Sequence, residues 1–327
     1  MAQVDVQPDI RSAPEVAPDV SSDIIGRSPW EIFWARFRKD RVALVALGVI
    51  VLLALVAIFA PLIAKVVGHG PNDLFRETLD DIGLPKTGPT KDFFFGVDTS
   101  GRDVFVRTMY GARTSLTVAL LATSIAVFLG IVLGSLAGYH RGWVDTLISR
   151  TIDLILSLPV LLFAIGIAAT CSISPQGCLG FIEPGILLVT MIISLFTWPY
   201  IARIVRGQVL SLREKEFIEA ARSIGASSTR ILFREVLPNL AAPLIVYSTL
   251  IIPSNILFEA SLSFLGVGIP SSTPSWGRMI SEASSGQLYT VAWWMLLFPG
   301  IALIITTLAF NLVGDGLRDA LDPRTQG

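Results

Sequence analysis

Charge is scarce in this chain: Asp, Glu, Lys and Arg make up 16% of its 327 residues, hydrophobic residues 52%, and the mean hydropathy is +0.66. A water-soluble domain cannot bury that much apolar surface, so the chain belongs in lipid. There are only two cysteines and two histidines, too few for a disulfide framework or a His-rich metal site. No Gly-x-x-x-x-Gly-Lys-[Ser/Thr] phosphate loop occurs, and no Gly-Lys pair at all, which excludes nucleotide binding of that kind. The spans contain no convergent Ser/His/Asp set, paired carboxylates or metal ligands, which argues against a membrane enzyme. The net charge of −1 does not by itself speak for or against nucleic acid; in a chain immersed in lipid, no such partner is expected. Residues 1–28, rich in Asp, Pro, Val and Ser, lack the apolar run of a signal peptide; they read as a disordered cytoplasmic tail, and no cleavage is expected.

A helix needs about 20 apolar residues to cross the hydrocarbon layer, and six segments qualify. The spans are predicted at residues 42–64, 115–138, 151–170, 184–204, 240–262 and 290–313, the fifth being interrupted by Asn255 and Glu259. Of the 25 Lys and Arg residues, 17 lie on one side, in the segments 1–41, 139–150, 203–239 and 314–327. Positive charge is retained in the cytoplasm during insertion, so both termini are expected there, in the plasma membrane of the cell. The outline is then a helix at 29–41, the first span, an extracytoplasmic loop at 65–114, a five-helix core at 115–313 and a cytoplasmic tail at 314–327. In the helix at 29–41, Trp30, Phe33, Trp34 and Phe37 recur at i, i+3, i+4, i+7 with Arg36, Arg38, Lys39 and Arg41 mostly elsewhere. That pattern reads as an amphipathic helix at the lipid headgroups, or as the cytoplasmic end of the first span.

Cys171 and Cys178 fall in one short outer loop with Pro175 and Gly177 between them, a spacing compatible with a disulfide or with two unlinked thiols. His69 and His140 lie on opposite sides of the membrane, so no metal site is expected. The outer loop carries Phe93, Phe94 and Phe95, which are expected to dock on the bundle or on a partner. Ionisable groups within a span cost about 2.5–3.5 kcal/mol and need a partner or a purpose. Asp153 is expected to make an ion pair or a helix-start interaction beside Arg150. Asn255 and Glu259, one turn apart on one helix face, either line a translocation path or gate, or brace the bundle by interhelical hydrogen bonds.

The polar segment 203–239 breaks at Gly225, with a helix before it and another after Ser227 or Ser228. Gly225 permits the positive φ of a tight helix end, Ala220 and Ala221 permit close approach to another surface, and Glu219 can accept hydrogen bonds there. Pro238 is expected to stop the second helix and start the next span. Spacing alone makes this a cytoplasmic helical hairpin, which could serve as a lever in a partner's groove.

The hairpin resembles the Glu-Ala-Ala motif of binding-protein-dependent ABC importer permeases: Glu219, Ala220, Ala221, Gly225, Leu237 and Pro238 match in register, and Glu235 departs from an apolar consensus position. Further blocks resemble the dipeptide/oligopeptide/nickel transporter group: Phe95 to Asp103, Tyr110 to Leu116, Arg150 to Asp153, Glu259 to Gly266, Pro274 to Gly277 and Asn311 to Pro323. The resemblance implies an all-α polytopic membrane protein of six transmembrane helices with the type I ABC importer (MetI-like) permease fold, acting as the C-type permease subunit. It also implies the partners: a homologous second permease, two cytoplasmic ABC ATPases that hold the ATP and Mg, and an extracytoplasmic solute-binding protein that delivers a di- or oligopeptide. Nickel chelates, glutathione-like peptides and oligosaccharides are alternative cargoes within that group. A rival of another class is a membrane scaffold that transports nothing.

Overall fold

The computed structural model describes residues 29–140, 142–173 and 182–321. Their helices are α1 (Pro29–Phe37), α2 (Arg41–Val67), α3 (Val104–Tyr139), α4 (Trp143–Ser157), α5 (Val160–Ile173), α6 (Ile186–Leu212), α7 (Glu216–Ser223), α8 (Ser228–Ile231), α9 (Leu237–Phe264), α10 (Trp276–Ser284) and α11 (Trp294–Leu321). Five continuous helical stretches, those containing α2, α3, α6, α9 and α11, are long and apolar enough to cross a bilayer. The bent pair α4 and α5 is long and apolar enough only when its two helices are taken together, as a broken sixth span or a re-entrant loop.

That pair corrects the predicted straight span at residues 151–170. The two helices meet at 87°, and Leu158 between them has extended backbone (φ −77°, ψ 143°). Pro159 explains the break, because it lacks an N–H and drives the preceding residue out of the helical region. Other boundaries shift with their caps. α3 begins at Val104, well before residue 115, because the Asp103 carboxylate accepts the Phe105 and Val106 N–H groups. α6 continues past residue 204 to Leu212, and α11 past 313 to Leu321.

Packing follows the logic of lipid, where apolar bulk gains nothing by turning inward and close backbone approach decides which faces meet. The buried residues of α2 are all alanines: Ala43, Ala46, Ala57, Ala60 and Ala64. Val45 and Ile58 face outward, while Ile50, Leu53 and Val56 are packed against the bundle. α3 is the axis, flanked by α2, α6 and α9. Gly130, Gly134 and Gly138 form a stripe at i, i+4, i+8 that lies directly on α6. A Cβ at Gly134 would stand 2.6 Å from the Ala202 carbonyl oxygen and 2.8 Å from Val205 Cβ.

The helix predicted at 29–41 ends at Phe37, and Arg41 already belongs to α2, whose start is capped by Asp40. Its aromatic stripe is divided: Phe33 and Phe37 are buried against Ala43 and Ala320, while Trp34 is exposed with Arg38 over its ring. α1 therefore packs on the end of α11 as well as offering a face outward.

Candidate functional site

The hairpin after α6 is built from its ends inward. α7 closes with a two-bond cap in which Gly225 N–H donates to the Arg222 carbonyl (2.9 Å) and Ala226 N–H to the Ala221 carbonyl (3.0 Å). This geometry places Gly225 at φ +84°, where only glycine is unstrained. Ser227 then caps α8, its hydroxyl accepting from Arg230 N–H. The second helix does not stop at Pro238, contrary to the sequence expectation. Helical backbone continues from Ser228 to Phe264, through a π segment at Leu232–Val236 in which Leu237 N–H reaches the Leu232 carbonyl. The wider turn accommodates Pro238, which has no N–H to give and whose ring crowds the carbonyl four residues back.

Two isoleucines root the hairpin. Ile218 of α7 and Ile231 of α8 are buried with Val205 and Val209 of α6, Val236, and Leu240 of α9. Each buried side chain of this size contributes about 1.5–3 kcal/mol. Ala221 turns inward onto the same cluster. Glu219 and Ala220 face out, as do Phe217 and Ile224, the last 84% exposed. Leu237 is half-buried against the cluster and Pro238 is exposed. At the base, the Arg213 guanidinium donates to the carbonyls of Gly138 (3.3 Å) and Tyr139 (2.9 Å), tying the hairpin to the end of α3. Arg222 lies over the Tyr139 ring.

The intramembrane polar residues lie elsewhere and are enclosed. Glu259 is 0% exposed and accepts from the hydroxyls of Ser115 on α3 (2.9 Å) and Ser263 (2.8 Å). Asn255, 2% exposed, donates to Thr123 on α3 (2.8 Å) and accepts from Thr197 on α6 (3.1 Å). Both side chains join α9 to its neighbours, and neither reaches the surface of the chain. Asp153 pairs with Arg203 of α6 at 2.6 Å, not with the nearby Arg150.

Sequence reasoning missed a charged cluster on the loop side of α3. Arg102 Nε donates to Asp98 at 2.7 Å and its Nη2 to Glu282 at 3.1 Å, while the fully buried Arg107 lies 3.5 Å from Asp98 and donates to the Pro71 and Ser271 carbonyls. These bonds pin the loop after α2 to α3 and α10. The Asp98-x-x-x-Arg102 spacing was the only hint in the sequence. The aromatic run divides as its neighbours require: Phe93 is buried beside His69, Phe95 stacks on Phe298 at 3.8 Å, and Phe94 stays exposed. His69 also meets the Asp103 carboxylate at 2.7 Å. Cys171 is buried near the end of α5, whereas Cys178 lies outside the described residues, so the Cys171–Cys178 pairing falls outside them too. Among the described residues no group of three His, Cys, Asp or Glu side chains is placed to hold a metal.

Comparison with known proteins adds the family. A family profile described as "Binding-protein-dependent transport system inner membrane component" matches residues 130–327. A second, "N-terminal TM domain of oligopeptide transport permease C", matches residues 28–80. The chain is 41% identical over 297 residues to the dipeptide transport system permease protein DppC of Alkalihalophilus pseudofirmus, covering 91% of this chain and 90% of that protein. It is also 41% identical over 317 residues to the glutathione transport system permease protein GsiD of an Escherichia coli strain, covering 97% of each. The inward-facing MetNI methionine ABC transporter shares the fold, with a TM-score of 0.51 at 16% identity over 65% of this chain and 94% of that one. The fold, the profile across residues 130–327 and relatives aligned over nearly the whole length lead to one conclusion: the chain belongs to the family of binding-protein-dependent transport system inner membrane components, as a permease subunit of an ABC importer.

Proposed function

We propose that this permease subunit carries short peptides into the cell, forming half of a translocation path with a homologous second permease. A binding protein delivers the peptide from outside, and two ATPases that bind ATP and Mg drive the cycle from the cytoplasm. The observation that carries this reading is the rooted hairpin. Ile218 and Ile231 tie it to α6 and α9, while Phe217, Glu219, Ala220 and Ile224 are left outside for a partner surface. A displacement of that surface would be passed to two spanning helices through packed side chains. The excess of Lys and Arg around the hairpin and the termini supports their cytoplasmic placement.

Glutathione-like peptides are the second reading for the cargo, because the dipeptide and glutathione relatives are equally similar at 41% identity. Asn255 and Glu259 take the bracing role, since each already has partners on other helices or in its own turn. The test is uptake into proteoliposomes holding both permeases and both ATPases, with binding protein outside and labelled dipeptide or glutathione as cargo. ATP-dependent accumulation of one of them is expected. ATP hydrolysis with no accumulation of either would refute the peptide assignment.

A further inference from the structure

A substrate path through lipid needs polar groups exposed on a spanning helix, because a charge facing hydrocarbon is costly. Asn255 and Glu259 do not supply them, being enclosed. Exposed charged groups of both signs face one another between α4 and α6. Asp145, Ser149 and Asp153 follow one another at i, i+4, i+8 on α4, and Arg203 and Arg206 face them from α6. Together with Thr146, Arg150 and Ile152 they line a cavity of about 390 Å³.

α4 divides its circumference three ways. Ile152 is buried against α3 and α6, with Ile148 packed beside it. Trp143, Leu147 and Leu154, at i, i+4, i+11, form an exposed apolar face suited to lipid or to a second permease. The Asp145, Ser149 and Asp153 face is exposed or half-exposed and polar, so it is suited to water. A helix with two outward faces of opposite character stands at the edge of an aqueous opening.

The ion pairs in the cleft differ in kind. Arg206 grips Asp145 with two bonds, 2.6 and 2.9 Å, and ties α4 to α6. Arg203 and Asp153 meet at 2.6 Å, yet their side chains are 54% and 57% exposed. A pair so open to solvent adds little to stability, so its two ends can exchange partners at little cost. The ammonium and carboxylate termini of a peptide offer that exchange. Three arginines, Arg150, Arg203 and Arg206, stand with two acids, Asp145 and Asp153, in the lining, so the cleft offers partners of both signs, as a zwitterion requires.

We propose that the cleft between α4 and α6 is the cytoplasmic mouth of the substrate path, where Asp153 and Arg203 open to receive the two charged ends of a departing peptide. This rests on the importer reading above. The experiment places cysteine at Ser149 (Ser149→Cys) in the full complex, in inside-out vesicles, and measures its rate of reaction with a membrane-impermeant sulfonated maleimide. Wild-type chain, with its own Cys171 and Cys178, gives the background, and peptide uptake by the wild-type complex is measured alongside. Rapid labelling in the resting state that is lost on trapping with ATP and vanadate supports the proposal. No labelling in either state, as on a lipid or inter-subunit face, overturns it, and so does equal labelling in both. In the same complex, Asp153→Asn with Arg203→Gln should lower peptide uptake several-fold while retaining binding-protein-stimulated ATP hydrolysis; unchanged uptake also counts against it. Absence of uptake by the wild-type complex would instead remove the importer reading itself.

Discussion

Replacing Gly225 by valine tests the lever directly. At φ +84° an L-residue suffers a clash between Cβ and backbone that costs about 1–2 kcal/mol, and a β-branched one fares worst. Nothing else lies within 4 Å of the position a Cβ would take, so the penalty at that atom is conformational. The strain falls on the two cap bonds at Arg222 and Ala221, each contributing about 0.5–1.5 kcal/mol. The buried Ile218 and Ile231 side chains, at about 1.5–3 kcal/mol each, outweigh either bond, so the hairpin stays attached while its turn is displaced. Membrane insertion and subunit assembly are therefore expected to persist while peptide uptake falls and ATP hydrolysis loses its response to the binding protein. Asparagine tolerates the left-handed region, so Gly225→Asn should fall between alanine and the wild type. The assay is uptake and ATPase activity in proteoliposomes for the Asn, Ala and Val series. If valine imports as well as glycine, the turn is not part of the coupling.

Gly134→Val should drive α3 from α6, because the new Cβ meets the Ala202 carbonyl at 2.6 Å, and a loss of about 1–3 kcal/mol should appear as a lower melting temperature in detergent; Gly48→Ala, with open space around it, should leave that temperature unchanged. Glu259→Gln keeps a group able to bond both Ser115 and Ser263 and should melt near the wild type with import unchanged across peptides of different N-terminal charge, whereas Glu259→Leu strands those hydroxyls at about 1–3 kcal/mol each. Asp98→Asn removes the anion shared by Arg102 and Arg107 and should cost about 3–5 kcal/mol, seen as faster proteolysis within the loop after α2.

Legibility in the sequence followed the range of the interaction. The helical spans were readable because hydropathy adds over a window, as in the apolar stretch of α2. The hairpin was readable because a helix end is a local event: Gly225 sets the turn and Ser227 the cap within a few residues. The stripe Gly130, Gly134, Gly138 was written at a helical spacing and went unread, as was Pro159 in the third predicted span. Only the packed chain told which way α1 faces, because Phe33 and Phe37 find Ala320 at the far end of the sequence.

Membership of the membrane and the local shape of the hairpin around Gly225 were thus settled by residue order, since lipid solvation and backbone sterics act within a few helical turns. Whether Glu259 meets a substrate or a serine, whether Asp153 pairs with Arg150 or Arg203, and which charges hold the loop after α2 were decided by folding. Those choices depend on which faces of distant helices meet, and small residues such as Gly134 control that by setting how closely two backbones approach.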